Sequence, residues 1–390
     1  MLFQTPALSD RDKAVLQELG NYRRSLRSAL RQPRRWTGNL RRNLQARAIR
    51  GSNTIEGYEV SLDNALAAVD EEEPLDVDRS TWAEIVGYRN AMSYVQQLSS
   101  APHFEYNATL LSSLHYMMLS HDLTTLPGHF RPGPIYVHDD DTGENVYEGP
   151  NAELVPGLVG ELIDWLKADH NEPMFVRAAM AHLNLVMIHP FKDGNGRMAR
   201  ALQTLVLARY GILAPEFSSI EEYLGNRRNT QEYYAVLAQV GGGSWKPGND
   251  ASPWVSFNLR AHSIQAQTVL RRVKETRRLW GELEALADRE ALPERTVPAL
   301  YDAAVGFRVR RSKYEADADV EPGTAGRDLR RMVDAGLLIA QGQTRGRHYI
   351  RSERLRRVYE GVRAERPRVV DPYYDDPEGR VRHATPGSHH

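Results

Sequence analysis

The sequence contains no cysteine among its 390 residues. This absence excludes disulfide bonds, thiolate metal sites and a cysteine nucleophile, and it is compatible with a reducing compartment. Residues 1–6 lack the basic, apolar and small-residue regions of a signal peptide, and no apolar run approaches the roughly 18 residues of a membrane span. We therefore expect a soluble cytoplasmic protein with no membrane partner.

The sequence also lacks the net charge that marks a chain as a nucleic-acid binder. Its 50 lysine and arginine residues are balanced by 51 aspartate and glutamate residues, which leaves a formal charge of −1. Charge is nevertheless uneven, because residues 1–50 contain 12 basic and 3 acidic side chains, whereas residues 63–78 contain seven acidic and no basic ones. The favoured interpretation is two charged faces that pack on each other, and the alternative is a nucleic-acid arm.

The most informative stretch lies between two apolar segments, residues 173–188 and 201–210, which are predicted to be buried helices. It reads His189-Pro190-Phe191-Lys192-Asp193-Gly194-Asn195-Gly196-Arg197-Met198-Ala199-Arg200. Two glycines, Gly194 and Gly196, flank Asn195 and allow backbone N–H groups to turn inward, where the following helix presents its positive end. The pattern predicts an anion-binding site.

The charged residues of this stretch supply the rest of a phosphate site. Arg197 and Arg200 are three residues apart, so on one helix face their guanidinium groups converge on a polyphosphate. Asp193 offers a hard carboxylate for Mg²⁺, and His189 offers a base that titrates near neutrality.

This stretch resembles the signature of the Fic family, His-x-Phe-x-Asp/Glu-Gly/Ala-Asn-Gly/Lys-Arg-x-x-Arg, and every fixed position is filled. The resemblance covers roughly residues 35–285 and implies a mainly α fold with a Fic-type helical core. It implies transfer of AMP from ATP to a Ser, Thr or Tyr hydroxyl of a protein, with His189 as the catalytic base and Asp193 on Mg²⁺. Residues 194–197 and Arg200 then bind the nucleotide. Self-modification and homodimer formation are further expectations.

An upstream carboxylate is predicted to regulate this site. Ser52 and Glu56 are four residues apart, so they share one face of a helix that Gly57 closes as a left-handed cap. A subset of Fic proteins carries an inhibitory motif, Ser/Thr-x-x-x-Glu-Gly/Asn, before the core. The resemblance implies that Glu56 pairs with Arg200 and withholds it from the γ-phosphate.

Residues 134–148 predict a β-hairpin, with Ile135, Tyr136 and Val137 on one side of a reversal over residues 139–144. Fic proteins place a flap here that docks an extended segment of the target. A merely structural β-excursion is the alternative.

The other predicted helices cover residues 10–50 with a break at Pro33, and residues 81–98, 103–120, 152–169, 219–239 and 255–289. Asn229 and Tyr233 belong to a polar and aromatic cluster suited to an adenine pocket, although packing is an equally good interpretation of the tyrosine. His115 and His121 lack a second ligand at metal spacing and are interpreted as satisfied histidines.

Beyond Pro293 the order of elements resembles a winged helix-turn-helix, with helices over residues 296–306 and 324–335 and strands around a turn at 341–346. Residues 295–368 contain 17 basic and 10 acidic side chains, and Arg327, Arg330 and Arg331 lie on the candidate recognition helix. DNA binding is one interpretation, and protein binding or dimerisation is the other.

These patterns divide the chain into four parts. We expect residues 1–100 to form a helical region with the inhibitory motif, 101–289 the Fic catalytic core, 290–366 a small C-terminal winged-helix-like domain, and 367–390 a disordered tail. The sequence leaves open whether residues 387–390 are a cloning remnant.

Three other functions stay open at this point. One is a related Fic-fold reaction that uses another phosphate-containing donor or removes AMP from a modified protein. Another is a DNA-binding transcriptional regulator whose core senses a ligand, and the last is a phosphohydrolase in which the same metal directs water at the phosphate.

Overall fold

The computed structural model describes residues 1–31, 34–74, 76–138, 143–168, 171–211, 215–343 and 346–374, with the backbone alone for residues 215 and 216. Within these ranges the chain is mainly helical with two small sheets, which confirms the predicted fold class. No helix in the same ranges combines the length and the apolar character that crossing a membrane requires.

Eight helices precede residue 210 and eight follow it in the described part of the chain. The first group is α1 (Asp10–Leu30), α2 (Thr37–Ile55), α3 (Leu62–Val69), α4 (Arg79–Leu98), α5 (Ala108–Leu119), α6 (Val155–Lys167), α7 (Met174–Ile188) and α8 (Asn195–Arg209). The second group is α9 (Pro215–Ser218), α10 (Glu221–Leu224), α11 (Arg227–Gly241), α12 (Ser252–Arg289), α13 (Val297–Val305), α14 (Arg311–Ala318), α15 (Pro322–Asp334) and α16 (Glu353–Ala364).

Side-chain caps set several helix boundaries that periodicity alone misplaces. The predicted helix over 103–120 begins only at α5, because the Asn107 side chain accepts a hydrogen bond from the Leu110 N–H and holds the preceding residues extended. The single helix predicted over 219–239 is divided into α10 and α11, since Asn226 caps the second one. Ser61 likewise starts α3, which the sequence did not predict.

α7 is the central helix of the core, as predicted, because every residue from Phe175 to Ile188 is buried. α8 packs beside it and is buried along most of its length. The loop between these two helices is therefore held by rigid elements at both ends.

A small antiparallel hairpin precedes α6. Its strands are β1 (Tyr136–His138) and β2 (Asn145–Glu148), with Tyr136 opposite Glu148. Ile135 lies just outside the strand, and residues 139–142 of the predicted reversal lie outside the described part. Tyr147 points into the core and donates a hydrogen bond to the Met187 carbonyl at 2.7 Å, which anchors the hairpin to α7.

The C-terminal elements form a compact unit around a three-stranded antiparallel sheet. The strands β3 (Val309–Arg310), β4 (Leu338–Gln341) and β5 (His348–Arg351) are arranged in the order β3-β5-β4. The sequence predicted β4 and β5 but not the two-residue strand β3. The order of helices and strands in this unit agrees with that of a winged helix-turn-helix, and the assignment stays a prediction.

Residues 367–374 are not the disordered segment that the sequence predicted. Gln267 of α12 exchanges two hydrogen bonds with the Val370 backbone, at 2.8 and 2.9 Å. Tyr373 donates its hydroxyl hydrogen to Asp12 of α1 at 2.6 Å. Charge and proline content suggested disorder, but these side chains have specific acceptors on two distant helices.

The acidic segment also differs from its prediction. Asp70 pairs with Arg42 of α2, as expected of two oppositely charged faces. Asp63, Glu72 and Asp76, however, contact basic side chains beyond residue 305. The partner of this segment is therefore mainly the C-terminal unit rather than residues 1–50.

Candidate active site

The loop between α7 and α8 is closed by its own backbone and one amide side chain. His189 ends α7 in a left-handed conformation with φ of 50°, and its N–H donates to the Leu185 carbonyl at 3.1 Å. Asn195 accepts a hydrogen bond from the Phe191 N–H and donates one to the Phe191 carbonyl, both at 2.9 Å. The buried Asn195 side chain, predicted to hold phosphates, therefore shapes the loop in this structure.

His189 is arranged as a neutral base. Its Nδ1 lies 2.9 Å from the Val186 carbonyl, an acceptor, so Nδ1 carries the hydrogen and Nε2 carries the lone pair. Burial lowers the pKa of His189 to about 4, which leaves the ring neutral at pH 7. Nε2 is thus the atom available to accept a proton.

The N-terminus of α8 lies beside this histidine. Gly194 has φ of 72° and precedes the helix, whose first N–H groups have no intrahelical acceptor. At Gly196 an added Cβ would lie 2.7 Å from Glu56 Oε1 and 3.1 Å from Arg200 NH1. Glycine is required here because the helix terminus, the Glu56 carboxylate and the Arg200 guanidinium meet in one small space.

Arg200 is bound by the two residues of the predicted inhibitory motif. Its NH2 lies 2.6 Å from Glu56 Oε1, and its Nε donates to the Ser52 hydroxyl at 2.9 Å. The Arg200 side chain is 1% exposed and Glu56 is 20% exposed. Gly57 adopts φ of 87° directly after α2, the predicted left-handed conformation. Glu56 and Arg200, which the resemblance paired, are thus in contact although they lie 144 positions apart in the sequence.

Electrostatics explain why this pair is stable at neutral pH. Burial by itself would raise the pKa of Glu56, but the charges of Arg200 and Arg197 outweigh it and hold that pKa below its ordinary value. Glu56 is therefore ionised, and its Oε1 pairs with Arg200. Arg200 NH1 is buried without a hydrogen-bond partner among the described residues, which leaves one donor for an incoming anion.

Arg197 has an ion-pair partner that the spacing did not predict, although its charge and that of Arg200 both act on Glu56. Its side chain is 1% exposed and forms an ion pair with Glu84 of α4. Tyr58, two residues after Glu56, donates its hydroxyl hydrogen to the same carboxylate at 2.8 Å. The sequence prediction missed Glu84. The pattern that could have found it is a single carboxylate on a buried helix face, next to Ile85 and one turn before Tyr88.

Asp193 is the one loop carboxylate placed at the surface, with its side chain 48% exposed. Its Oδ1 accepts a hydrogen bond from the Gly194 N–H at 2.6 Å, which fixes the carboxylate at the mouth of the site. Within the described residues no group of three or more His, Asp or Glu side chains is suited to hold a metal alone. One carboxylate next to an anion site nevertheless fits Mg²⁺, which usually takes one or two carboxylates together with substrate phosphates.

His115 supports the loop instead of binding a metal. Its Nδ1 accepts from the Gly128 N–H at 2.8 Å, so Nε2 donates to the Asp193 carbonyl at 3.0 Å. Its ring stacks on Phe191 with centroids 3.8 Å apart. The interpretation of His115 as a satisfied histidine agrees with this geometry.

Arg131 is a second residue that sequence reasoning missed. Its backbone N–H donates to the Pro190 carbonyl at 2.9 Å and its Nε donates to the His189 carbonyl at 2.8 Å. Its NH1 binds the Gly133 carbonyl next to the hairpin at 2.6 Å. Arg131 therefore connects the hairpin to the loop, and no local pattern in the sequence distinguishes it from other arginines.

The adenine-pocket prediction for α11 meets a different arrangement. Tyr233 is 1% exposed, and its hydroxyl lies 3.0 Å from His182 Nε2 in the core. Asn229 donates its amide to the Tyr223 carbonyl at 2.8 Å. Packing is thus the role that the structure displays for Tyr233, because α11 turns this residue inward and leaves Tyr234 at the surface.

The hairpin lies over the same region. The Gly149 N–H donates to the Ile135 carbonyl at 3.1 Å, and a Cβ added at Gly149 would lie 2.6 Å from Ile135 Cγ2 and 3.6 Å from His189 Cβ. Tyr136 is 44% exposed and Val137 is half-buried. Among the described strands β1 pairs only with β2, so its other edge is open to an added strand.

The profile of the Fic/DOC family matches residues 105–207. Protein adenylyltransferase fic-1 of Caenorhabditis briggsae is 30% identical over 167 residues, 42% of this chain and 30% of that protein. Protein adenylyltransferase Fic of Drosophila willistoni is 31% identical over 169 residues, again 42% of this chain and 30% of that protein. The chain therefore spans about a third of the length of these relatives.

Solved structures extend the similarity of fold. A Fic family protein from Desulfovibrio desulfuricans G20 superposes with a TM-score of 0.55 at 22% identity and covers 90% of this chain and 98% of its own. Fic-1 from Caenorhabditis elegans gives a TM-score of 0.53 at 23% identity, over 67% of this chain and 72% of its own. With the complete signature from His189 to Arg200 at the junction of α7 and α8, residues 105–207 of this chain form a Fic-family domain.

Proposed function

We propose that the protein transfers AMP from ATP to a hydroxyl group of a protein and that Glu56 holds it in an inhibited state. One observation carries the proposal: Nε2 of a neutral His189, the free N-terminus of α8 and the pair of Arg200 with Glu56 occur around one loop. The adenylyltransferase names of relatives about 30% identical over this region support the same reaction.

The reaction is an in-line substitution at the α-phosphorus. The target hydroxyl oxygen forms a bond to the α-phosphorus as the bond to the oxygen that leads to the β-phosphate breaks, and pyrophosphate leaves. Nε2 of His189 accepts the hydroxyl proton. Because the pKa of His189 is lowered to about 4, the ring is already neutral and ready at pH 7.

Three groups of the chain would hold the triphosphate. The first N–H groups of α8 have no intrahelical acceptor, so they would donate hydrogen bonds to the phosphates. Arg200 would bind the γ-phosphate with its fork of donors once Glu56 has left. Asp193 would hold Mg²⁺, which neutralises charge that develops on the phosphates when it is bound.

Inhibition follows from competition for Arg200. Glu56 Oε1 lies 2.6 Å from the Arg200 guanidinium. The same oxygen lies beside the start of α8, where the anion would bind, because a Cβ added at Gly196 would be only 2.7 Å from it. A γ-phosphate must displace this carboxylate, and separating one partner of a buried pair costs on the order of 3–5 kcal/mol. ATP would therefore bind weakly or with its α-phosphate misaligned.

The open edge of β1 is proposed to bind the target. A target segment added beside Tyr136 and Val137 would be held by main-chain hydrogen bonds and would carry its hydroxyl towards His189, since Gly149 connects the hairpin to that histidine. Such binding is tolerant of side chains, which suits a Ser, Thr or Tyr acceptor.

The test compares Glu56→Gly, His189→Ala and the double variant with the wild type, using ATP labelled in the α-phosphate and a cell lysate. Glu56→Gly should raise labelling of protein by at least about tenfold, within the usual range of coupling between sites. His189→Ala should abolish labelling in either background, because the hydroxyl then keeps its proton.

The products separate the competing functions. Pyrophosphate released in equal amount to AMP attached to protein supports the proposal, whereas pyrophosphate or phosphate without labelled protein indicates a phosphohydrolase. A mass increase other than that of AMP indicates another donor, and loss of AMP from pre-modified protein indicates the reverse reaction. DNA binding that persists in His189→Ala without nucleotide turnover in Glu56→Gly would indicate a regulator.

A further inference from the structure

The helix that carries Glu56 belongs to two hydrophobic cores at once. Its first half contributes Leu40 and Leu44 to the cluster that contains α13 and the C-terminal sheet. Its second half contributes Ile49 and Ile55 to the cluster around α7 and α8. A 19-residue helix is about 28 Å long at 1.5 Å per residue, so α2 is one rod between the C-terminal unit and the active site.

A buried carboxylate of the C-terminal unit holds the first half of this rod. Asp302 of α13 accepts hydrogen bonds from Asn39 Nδ2 and Arg42 NH1, each at 3.1 Å. Arg42 also donates to Asp70 at 2.8 Å. Asp302 is 9% exposed, so these bonds are shielded from solvent, and removing one partner leaves buried polar groups of the other without a partner.

A second row of contacts fixes the segment that follows α2. The Arg308 N–H donates to Asp63 at 2.8 Å, and its NH2 donates to Asp76 at 2.7 Å. Arg310 lies 3.3 Å from Glu72. Basic groups near β3 thus bind the acidic segment after α2, so the C-terminal unit contacts both the first half of α2 and the segment that follows it.

The other half of α2 packs closely against the elements around the active site. A Cβ added at Gly51 would lie 2.2 Å from the Glu221 carbonyl oxygen, so the helix backbone is in direct contact with α10. Tyr234 donates to the Ile55 carbonyl at 3.0 Å, next to Glu56. The contact of Glu56 with Arg200 is a single 2.6 Å bond, and a shift of about 1 Å would take it beyond hydrogen-bond distance.

We propose that residues 290–366 lock the inhibitory helix: while Asp302 holds Asn39 and Arg42, α2 keeps Glu56 on Arg200, and a partner that draws α13 away releases Arg200 for ATP. This proposal rests on the proposed function, since it concerns the regulation of the same site. It assigns the C-terminal unit a role in controlling transfer rather than a separate activity.

The experiment measures AMP incorporation by the full chain carrying Asp302→Asn, with Asp319→Asn as a control. Both variants remove one negative charge from the C-terminal unit, but Asp319 is exposed at the end of α14 and contacts neither Asn39 nor Arg42. Asp302→Asn should raise labelling about fivefold and Asp319→Asn should not change it. Adding Asp302→Asn to Glu56→Gly should give no further increase, because the inhibitor is already absent.

Hydrogen exchange supplies a readout that does not depend on activity. The N–H groups of Glu56 and Gly57 donate to the Asn53 and Thr54 carbonyls at 3.1 Å, and their exchange should accelerate in Asp302→Asn. Asn39→Ala removes one of the same hydrogen bonds without a charge change and should act in the same direction if Asp302→Asn folds poorly.

The outcomes separate this proposal from the one on which it rests. Equal labelling by Asp302→Asn, Asn39→Ala and the wild type, with active Glu56→Gly, overturns the lock and leaves the transferase standing. Unchanged exchange at residues 56 and 57 in both lock variants also overturns it. No labelling by Glu56→Gly overturns the proposed function itself.

Discussion

The loop from His189 to Arg200 and the C-terminal unit, residues 290–366, both contain many charged or titratable groups, yet they differ in what those groups leave open. Three groups of the loop can still bind a ligand. They are the lone pair on His189 Nε2, Arg200 NH1, which has no hydrogen-bond partner among the described residues, and the half-exposed carboxylate of Asp193. In the C-terminal unit, Asp302 and Arg308 are bound on several sides. Groups kept open suit chemistry, whereas groups fully bound suit an internal interface.

Removal of Glu84 tests whether the buried charge of Arg197 must be paired for the core around the loop to be stable. Glu84→Ala removes the ion-pair partner of a 1% exposed guanidinium, leaving it Asp193 at 3.7 Å and the charge of Glu56, which already pairs with Arg200, and should lower the free energy of unfolding by about 3–5 kcal/mol. Urea unfolding followed by circular dichroism measures this loss. The exposed Glu59→Ala is the matched control and should change stability little.

If Glu84 acts only through Arg197, the double variant Glu84→Leu, Arg197→Met should recover most of the lost stability, because no buried charge remains. An equally large loss in the double variant would show that Arg197 has a further structural role.

Acid should weaken the catalytic core before the C-terminal unit. Burial lowers the pKa values of His182 and His262 to about 3, below the 6.5 of an exposed histidine. Between these pH values the two histidines are protonated in the unfolded chain but not in the folded chain. The free energy of unfolding is therefore highest above pH 6.5 and decreases as the pH falls towards 3. At pH 5 each histidine costs about 2 kcal/mol, since one pKa unit is worth about 1.4 kcal/mol.

Thermal unfolding at pH 7 and pH 5 measures this dependence. His182→Gln should flatten the profile, because the substituted side chain cannot be protonated, whereas the exposed His129→Gln should leave the profile as in the wild type. Identical profiles for all three proteins would contradict a buried neutral His182.

The smallest effect concerns the end of the chain that packs back on the core. Tyr373→Phe removes the hydrogen bond to Asp12 and should lower the free energy of unfolding by about 1 kcal/mol. Tyr374→Phe is the control, since Tyr374 is 63% exposed and its ring contact with Arg260 survives the change. Equal stability of the two variants would mean that the hydrogen bond from Tyr373 to Asp12 contributes nothing to stability.

The central helices and the site loop were predictable because their signals are local. The apolar run of α7, the glycines at 194 and 196 and the left-handed turn at Gly57 each depend on neighbouring residues. The pairing of Glu56 with Arg200 was predictable only through resemblance to other Fic proteins. Without it, a serine and a glutamate four residues apart are an ordinary helix face.

Side chains with partners far along the chain were not predictable. The buried ring of Tyr233 depends on how closely α7 and α11 approach each other. Arg131, which fixes the loop from outside, contacts carbonyl groups that any arginine could bind. Periodicity reports which face of a helix is buried but not which group lies opposite it.

The groups between His189 and Arg200 could be read from the chain alone, because twelve contiguous residues bring their own turn, helix terminus and charges. The packing of distant helices made Glu84 the partner of Arg197 and directed most of the acidic segment to the C-terminal unit, although Asp70 still pairs with Arg42. An ion pair is selected by distance and burial, and those are set when helices more than a hundred residues apart pack together.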